Sequence, residues 1–71
     1  MSDDALKALR KNASSKKRIA TEWASKIHDV VEDSLWTEYQ SLPDLAQQAV
    51  DACKAWEAAQ KTYDQAVAEA Q

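Results

Sequence analysis

Apolar residues recur every three or four positions along the first half of the chain. This spacing is typical of one face of an amphipathic helix, which we predict over about residues 3–33. This row of apolar residues is interrupted between Arg10 and Arg18, where only Ala13 is apolar. We expect this part of the helix to pack less tightly. The stripe consists of Leu6, Leu9, Ala13, Ala20, Trp23, Ile27 and Val30, widened by Ile19, Ala24 and Val31.

A second helix is predicted over about residues 42–70. It is preceded by a serine suited to the N-cap, Ser41, and has Pro43 and Asp44 in its first turn, which is a typical helix start. The apolar residues that follow alternate steps of three and four, the period of a left-handed helical seam. They are Leu42, Leu45, Ala49, Ala52, Trp56, Ala59, Tyr63, Ala66 and Ala70.

The two predicted helices are joined by residues 34–41, a polar and aromatic segment without glycine that we interpret as a tight corner. The predicted fold is therefore all-α, an antiparallel two-helix hairpin that forms a single domain over residues 1–71. Each helix would be about 40–45 Å long at 1.5 Å per residue, and a lone hairpin would leave half of each stripe open to water. We expect a homodimer in which two hairpins form a four-helix bundle.

The composition favours this helical reading. The chain has no glycine, one proline, many alanines and 30% charged residues, a composition that resembles that of an all-helical protein. No apolar run approaches the roughly 18 residues of a membrane span, and the first residues lack the apolar stretch of a signal peptide. We expect a cytoplasmic protein that makes no membrane contact, and a single free cysteine agrees with that compartment.

The charge is unevenly distributed along the chain. Residues 1–18 have a net charge of +4 and the remaining residues −7. The basic patch is either a solvated helix face, which is the commoner case, or a contact surface for an acidic protein, or a phosphate-binding surface for RNA. RNA is the least favoured, because the segment has no aromatic ring to stack on a base. The patch consists of Lys7, Arg10, Lys11, Lys16, Lys17 and Arg18.

One cluster suggests metal chemistry. His28 and Glu32 are four residues apart, and so are Asp29 and Asp33, which makes each pair neighbours on a helix surface. Imidazole and carboxylate groups bind divalent transition metals, but two ligands are too few for tight binding unless a dimer supplies four. The commoner alternative is an exposed histidine paired with a glutamate, with Asp29 and Asp33 as weaker candidate ligands. No other cofactor is expected.

No catalytic set can be assembled from one histidine and no glycine-rich loop, so we do not expect an enzyme. Cys53 lies beside the second seam and is more readily explained as a small core residue than as a reactive thiol. Trp23 and Trp56 fall on the stripes and are expected in the core. The corner residues Trp36 and Tyr39 either tuck under the end of the hairpin, the commoner arrangement, or are offered to a partner.

The segment HDVVEDSLWTEYQSLPDLAQQAVDA, from His28 to Ala52, resembles the Rop-like small helical-hairpin proteins of unknown function encoded in nitrogen-fixation gene clusters. The resemblance implies antiparallel hairpins that pair into four-helix bundles. It also implies a metal-binding role for His28, Asp29, Glu32 and Asp33. The residues that follow the family's order are His28, Asp29, Glu32, Asp33, Leu42, Pro43, Leu45, Ala46 and Gln47.

From this resemblance we expect a small accessory protein of nitrogen fixation that binds nitrogenase or its maturation machinery. The residues expected to contact the partner are Glu32, Asp33, Trp36 and Tyr39. The second helix contains no histidine, which makes protein contact the better hypothesis than metal binding. The alternatives are a metal carrier or sensor that uses His28 and Glu32 in a dimer, and a Rop-like RNA binder that uses the basic patch.

Overall fold

The computed structural model describes residues 2–70, which form two long antiparallel helices joined by a short helical corner. Helix α1 spans Asp3–Asp33 and helix α3 spans Leu42–Ala70. Between them lie α2, a single turn over Leu35–Glu38, and a 3₁₀ turn over Tyr39–Ser41. Residues 2–70 contain no strand, and the predicted all-α helical hairpin is confirmed.

Helix α1 begins and ends very differently. At its start the Ser2 side chain accepts a hydrogen bond from the Ala5 N–H at 3.3 Å, and Asp3 and Asp4 occupy the first turn. Acidic residues there interact favourably with the positive end of the helix dipole. At the other end the backbone leaves the helical conformation at Ser34, and the last turn contains no basic residue. The C-terminus of α1 therefore lacks the positive charge that would stabilise it.

The corner reverses the chain with helical turns alone. The Thr37 and Glu38 N–H groups both donate to the Ser34 carbonyl, at 3.2 and 2.8 Å. No residue between 2 and 70 has a positive φ, so the reversal needs no glycine. The prediction that Ser41 is the N-cap of the second helix is wrong. Its hydroxyl instead donates a hydrogen bond to the Glu38 carbonyl at 2.7 Å. The 3₁₀ turn continues directly into α3, and the Leu42 N–H donates a hydrogen bond to the Tyr39 carbonyl.

The buried core of the hairpin is very small. Among residues 2–70 only Ala13, Ala52 and Ala66 are buried, with Ala13 at 3% and Ala66 at 4% exposure. The larger seam residues are only half-buried, because two helices in one layer cover each other on one side and leave the flanks open. These half-buried residues include Leu6, Leu9, Trp23, Ile27, Val30, Leu42, Leu45, Trp56 and Tyr63.

The hairpin is a rod and not a compact domain. It measures 53 × 15 × 12 Å and has a radius of gyration of 16.1 Å, whereas a compact domain of this length would have about 11 Å. It exposes 5405 Å², and a typical folded monomer of this mass exposes about 4,400 Å². The rod thus exposes roughly 1,000 Å² more than a compact protein would.

No helix within residues 2–70 has the length and apolar character needed to cross a membrane.

Candidate functional site

The two halves of the rod carry opposite charge. The corner half, residues 27–53, contains six carboxylates and no lysine or arginine, for a charge of −6. The open half, residues 3–18 together with 54–70, contains eight cations and five carboxylates, for +3. Glu22 and Lys26 cancel between them. The negative charge of the protein is therefore concentrated around the corner.

Large apolar side chains are exposed at the same end of the rod. Trp36 in α2 is 79% exposed and Tyr39 in the 3₁₀ turn is 53% exposed. The expectation that these rings tuck under the end of the hairpin is wrong. The tip of a two-helix hairpin has no second layer to pack against, so the rings of Trp36 and Tyr39 face solvent. We call Glu32, Asp33, Trp36 and Tyr39 the corner surface.

His28 and its neighbouring carboxylates form a small exposed network on the last turns of α1. The distance from His28 Nε2 to Glu32 Oε1 is 3.3 Å, and from His28 Nδ1 to Asp29 Oδ1 it is 4.0 Å. The side chains of His28 and Glu32 are 65% and 63% exposed, so water screens the pair strongly. Asp33 makes no ion pair or side-chain hydrogen bond within residues 2–70.

The predicted metal ligands are only partly brought together. His28 lies close to Glu32 and near Asp29, but not to Asp33. Within residues 2–70 no three histidine, cysteine, aspartate or glutamate side chains are grouped closely enough to hold a metal ion. One chain therefore offers an incomplete donor set, and further ligands would have to come from a second chain.

The basic patch lies mainly on the surface of α1. Of its six residues only Lys16 is half-buried, and the others are exposed. Lys11, Ser14, Ser15 and Arg18 line a shallow depression of about 580 Å³, and Arg18 Nε lies 4.0 Å from Glu22 Oε1. The depression is lined by polar and charged residues and has no aromatic side chain in its lining.

A groove between the two long helices leaves part of the seam open. It has a volume of about 300 Å³ and is lined by Lys17, Ala20, Thr21, Ala24, Cys53 and Trp56. The expectation that Cys53 fills the core is wrong, because its side chain is exposed. Cys53 is one position past the buried Ala52, which turns it towards the flank.

The sequence analysis did not single out this groove. The sequence signal for the groove is a small residue next to a seam residue in each helix. These small residues are Ala24, which follows Trp23 in α1, and Cys53, which follows Ala52 in α3. Small side chains at both positions leave a gap beside Trp56 that the helix pair does not fill. Small residues on both sides of a large ring are thus the sequence signal for a gap in the packing.

These observations define a class of protein, a short antiparallel helical hairpin with an open seam and an acidic, aromatic tip. The family model described as Rop-like matches residues 4–68, and the chain belongs to that Rop-like family. Comparison with curated proteins and with solved structures gave no match. Membership supports a helical protein-interaction role.

Proposed function

We propose that this protein is a non-catalytic binding protein that contacts a partner protein through its corner surface. The observation that carries the proposal is Trp36, which is 79% exposed at the tip of the rod. Tryptophan and tyrosine dominate the energetics of protein interfaces when they are available at the surface. Glu32 and Asp33 precede them in the same segment of the chain and supply charge for partner selection.

The test replaces Glu32→Gln, Asp33→Asn and Trp36→Ala together and compares recovery of bound proteins from the native cells. A matched control, Glu57→Gln with Asp64→Asn, removes the same number of charges from the open half. We expect the corner variant to lose the bound partner and the control to retain it. Unchanged recovery with the corner variant, while its helical content is retained, would contradict the proposal.

The partner that we propose is a nitrogenase component or a protein of nitrogenase maturation. The support is the resemblance of residues 28–52 to Rop-like hairpins encoded among nitrogen-fixation genes. Tagged protein isolated from nitrogen-fixing cells should retain such a component, and protein from cells grown on fixed nitrogen should not. Recovery of the same unrelated protein under both conditions would argue against a role in nitrogen fixation.

We further propose that two copies pair through the open seam to form a four-helix bundle. The support is the surface of 5405 Å², roughly 1,000 Å² above that of a compact monomer, since a standard interface buries about 800 Å² per partner. Sedimentation should give the mass of a dimer at micromolar concentration. A cooperatively unfolding monomer at that concentration would be the contrary result.

A metal carrier or sensor is the second candidate, favoured by the 3.3 Å separation of His28 Nε2 and Glu32 Oε1. Paired chains would combine two such sets, with Asp29 and Asp33 as weaker ligands. Equilibrium dialysis against Ni, Zn and Fe ions should then give a stoichiometric ion that His28→Ala removes. Absence of such an ion would eliminate this candidate.

A third candidate is RNA binding through the basic patch, favoured by the exposure of five of its six cations. Retention on RNA would fall steeply with salt if phosphates are bound. The double variant Lys11→Gln with Arg18→Gln should weaken retention, while Lys54→Gln with Lys61→Gln should not. Absence of retention at low salt would contradict this candidate.

A further inference from the structure

The three tryptophans of the chain differ in whether a lysine lies over the ring. Lys26 Nζ lies 4.3 Å from the ring centroid of Trp23, and Lys17 Nζ lies 6.0 Å from that of Trp56. Within residues 2–70 no cation lies over Trp36, and no lysine or arginine occurs anywhere in the corner half. The most exposed ring is thus the one without a positive neighbour, although aromatic faces attract cations.

The two carboxylates that precede Trp36 in the chain lie at the end of α1 where the helix dipole opposes them. Glu32 and Asp33 occupy the last turn of α1, which contains no basic residue. The C-terminus of a helix is its negative end, so acidic residues there are repelled by it. Asp33 also finds no ion-pair partner within the described part of the chain. A positive charge from outside would relieve both interactions.

We propose that the corner surface binds a cationic, amphipathic segment of the partner protein. A lysine or arginine of that segment lies over the Trp36 ring, and further cations pair with Glu32 and Asp33. Its apolar side packs on the exposed rings of Trp36 and Tyr39. This inference rests on the proposed function, because it assigns the chemistry of the partner to the same surface.

The observations favour a separate partner over the basic patch of a second copy. Contact between the corner of one chain and the patch of another joins two different surfaces, and such contacts continue into open chains unless they close. The basic patch has no aromatic residue and its depression is lined by polar and charged groups. It therefore offers no aromatic ring that could pack against Trp36 and Tyr39.

The test uses the full chain and two synthetic peptides. One is a short amphipathic helical peptide of arginine, leucine and alanine, and the other has glutamate in place of each arginine. Binding is followed by the fluorescence anisotropy of the labelled peptide. We expect the arginine peptide to bind, with an affinity that falls as salt rises, and the glutamate peptide not to bind.

Two variants separate the contributions of charge and ring. Glu32→Gln with Asp33→Asn removes two exposed ion pairs and should weaken binding by about 2-fold to 30-fold. Trp36→Leu keeps an apolar side chain but removes the aromatic face, and should weaken binding by about 2-fold to 5-fold. The control Glu57→Gln with Asp64→Asn should leave the affinity unchanged.

Three results would overturn the inference. They are equal binding of both peptides, binding that salt does not affect, and self-assembly of the chain alone that Glu32→Gln with Asp33→Asn abolishes. The last result would identify the basic patch of a second copy as the occupant. Loss of the native partner from the corner variant, combined with no binding of the arginine peptide, would retain the proposed function and reject the cationic segment.

Discussion

The open half and the corner half of the hairpin are both helical but differ in which side chains they bury and which they expose. The open half contains Ala13 and Ala66, the two most buried residues of the described chain. The corner half contains most of the large exposed apolar side chains, among them Trp36 and Tyr39, and six carboxylates without a lysine or arginine. The open half is therefore built for packing between its own helices. The corner half leaves the Trp36 and Tyr39 rings exposed and gives Asp33 no ion-pair partner within residues 2–70.

The two ends of α1 repeat this contrast. Asp3 and Asp4 at its start complement the helix dipole, whereas Glu32 and Asp33 at its end oppose it. The sequence thus contains charges that favour folding at one end and charges that disfavour it at the other. Unfavourable local choices of this kind are expected at functional sites.

The largest expected difference is between two tryptophans. Trp56→Ala removes a half-buried ring from the seam and should lower the free energy of unfolding by about 2 kcal/mol or more. Trp36→Ala removes a ring that is 79% exposed and should change it by less than about 0.5 kcal/mol. Urea unfolding at fixed protein concentration, followed by circular dichroism, measures both. Equal losses would show that the tip contributes to the fold as much as the seam.

The close packing in the open half can be tested by adding volume. Ala66 is 4% exposed, so Ala66→Leu should destabilise the fold by about 1–3 kcal/mol through overpacking. Ala58→Leu adds the same volume at an exposed position of the same helix and should have an effect within about 0.5 kcal/mol. Thermal unfolding gives the comparison. A more stable Ala66→Leu protein would mean that the helices do not need to approach closely there.

Charge reversal at the two ends of α1 should have effects of opposite sign. Asp33→Lys should stabilise the fold by about 0.3–1 kcal/mol, and Asp3→Lys should destabilise it by a similar amount. Both effects should vanish at high salt, where the dipole is screened. The melting temperature at low and high ionic strength is the measurement. The same sign for both variants would contradict the assignment of Asp33 to an unfavourable position.

The smallest effect concerns the lysines near the tryptophans of the seam. Lys26→Gln removes a cation 4.3 Å from the Trp23 centroid and should cost about 0.5 kcal/mol. Lys17→Gln, with its cation 6.0 Å from the Trp56 centroid, should cost less. A double-mutant cycle of Lys26→Gln with Trp23→Leu isolates the pair. A coupling energy of zero would weaken the argument that Trp36 recruits a cation.

Much of the fold was determined by the sequence itself. The three-and-four spacing from Leu6 to Val30 and from Leu42 to Ala70 requires two helices whose stripes face each other, because that period places the apolar residues on one side. The absence of glycine disfavours a left-handed turn at the corner, and the chain reverses through helical turns without any positive φ in residues 2–70. These features depend on local geometry, whereas the resemblance to Rop-like proteins rests on the particular residues of segment 28–52.

The tertiary structure alone decided which residues are covered. Periodicity placed Trp23 and Trp56 in the core, and Cys53 beside the seam was expected there too. A face is buried only where another surface reaches it, and within residues 2–70 the hairpin buries three alanines. The exposure of Trp36 and Tyr39 could not be predicted for the same reason. The spacing of residues does not indicate whether another element covers the tip of the hairpin. Coverage depends on the number of layers and the distance between the helices. Those are properties of the assembled chain and not of any segment.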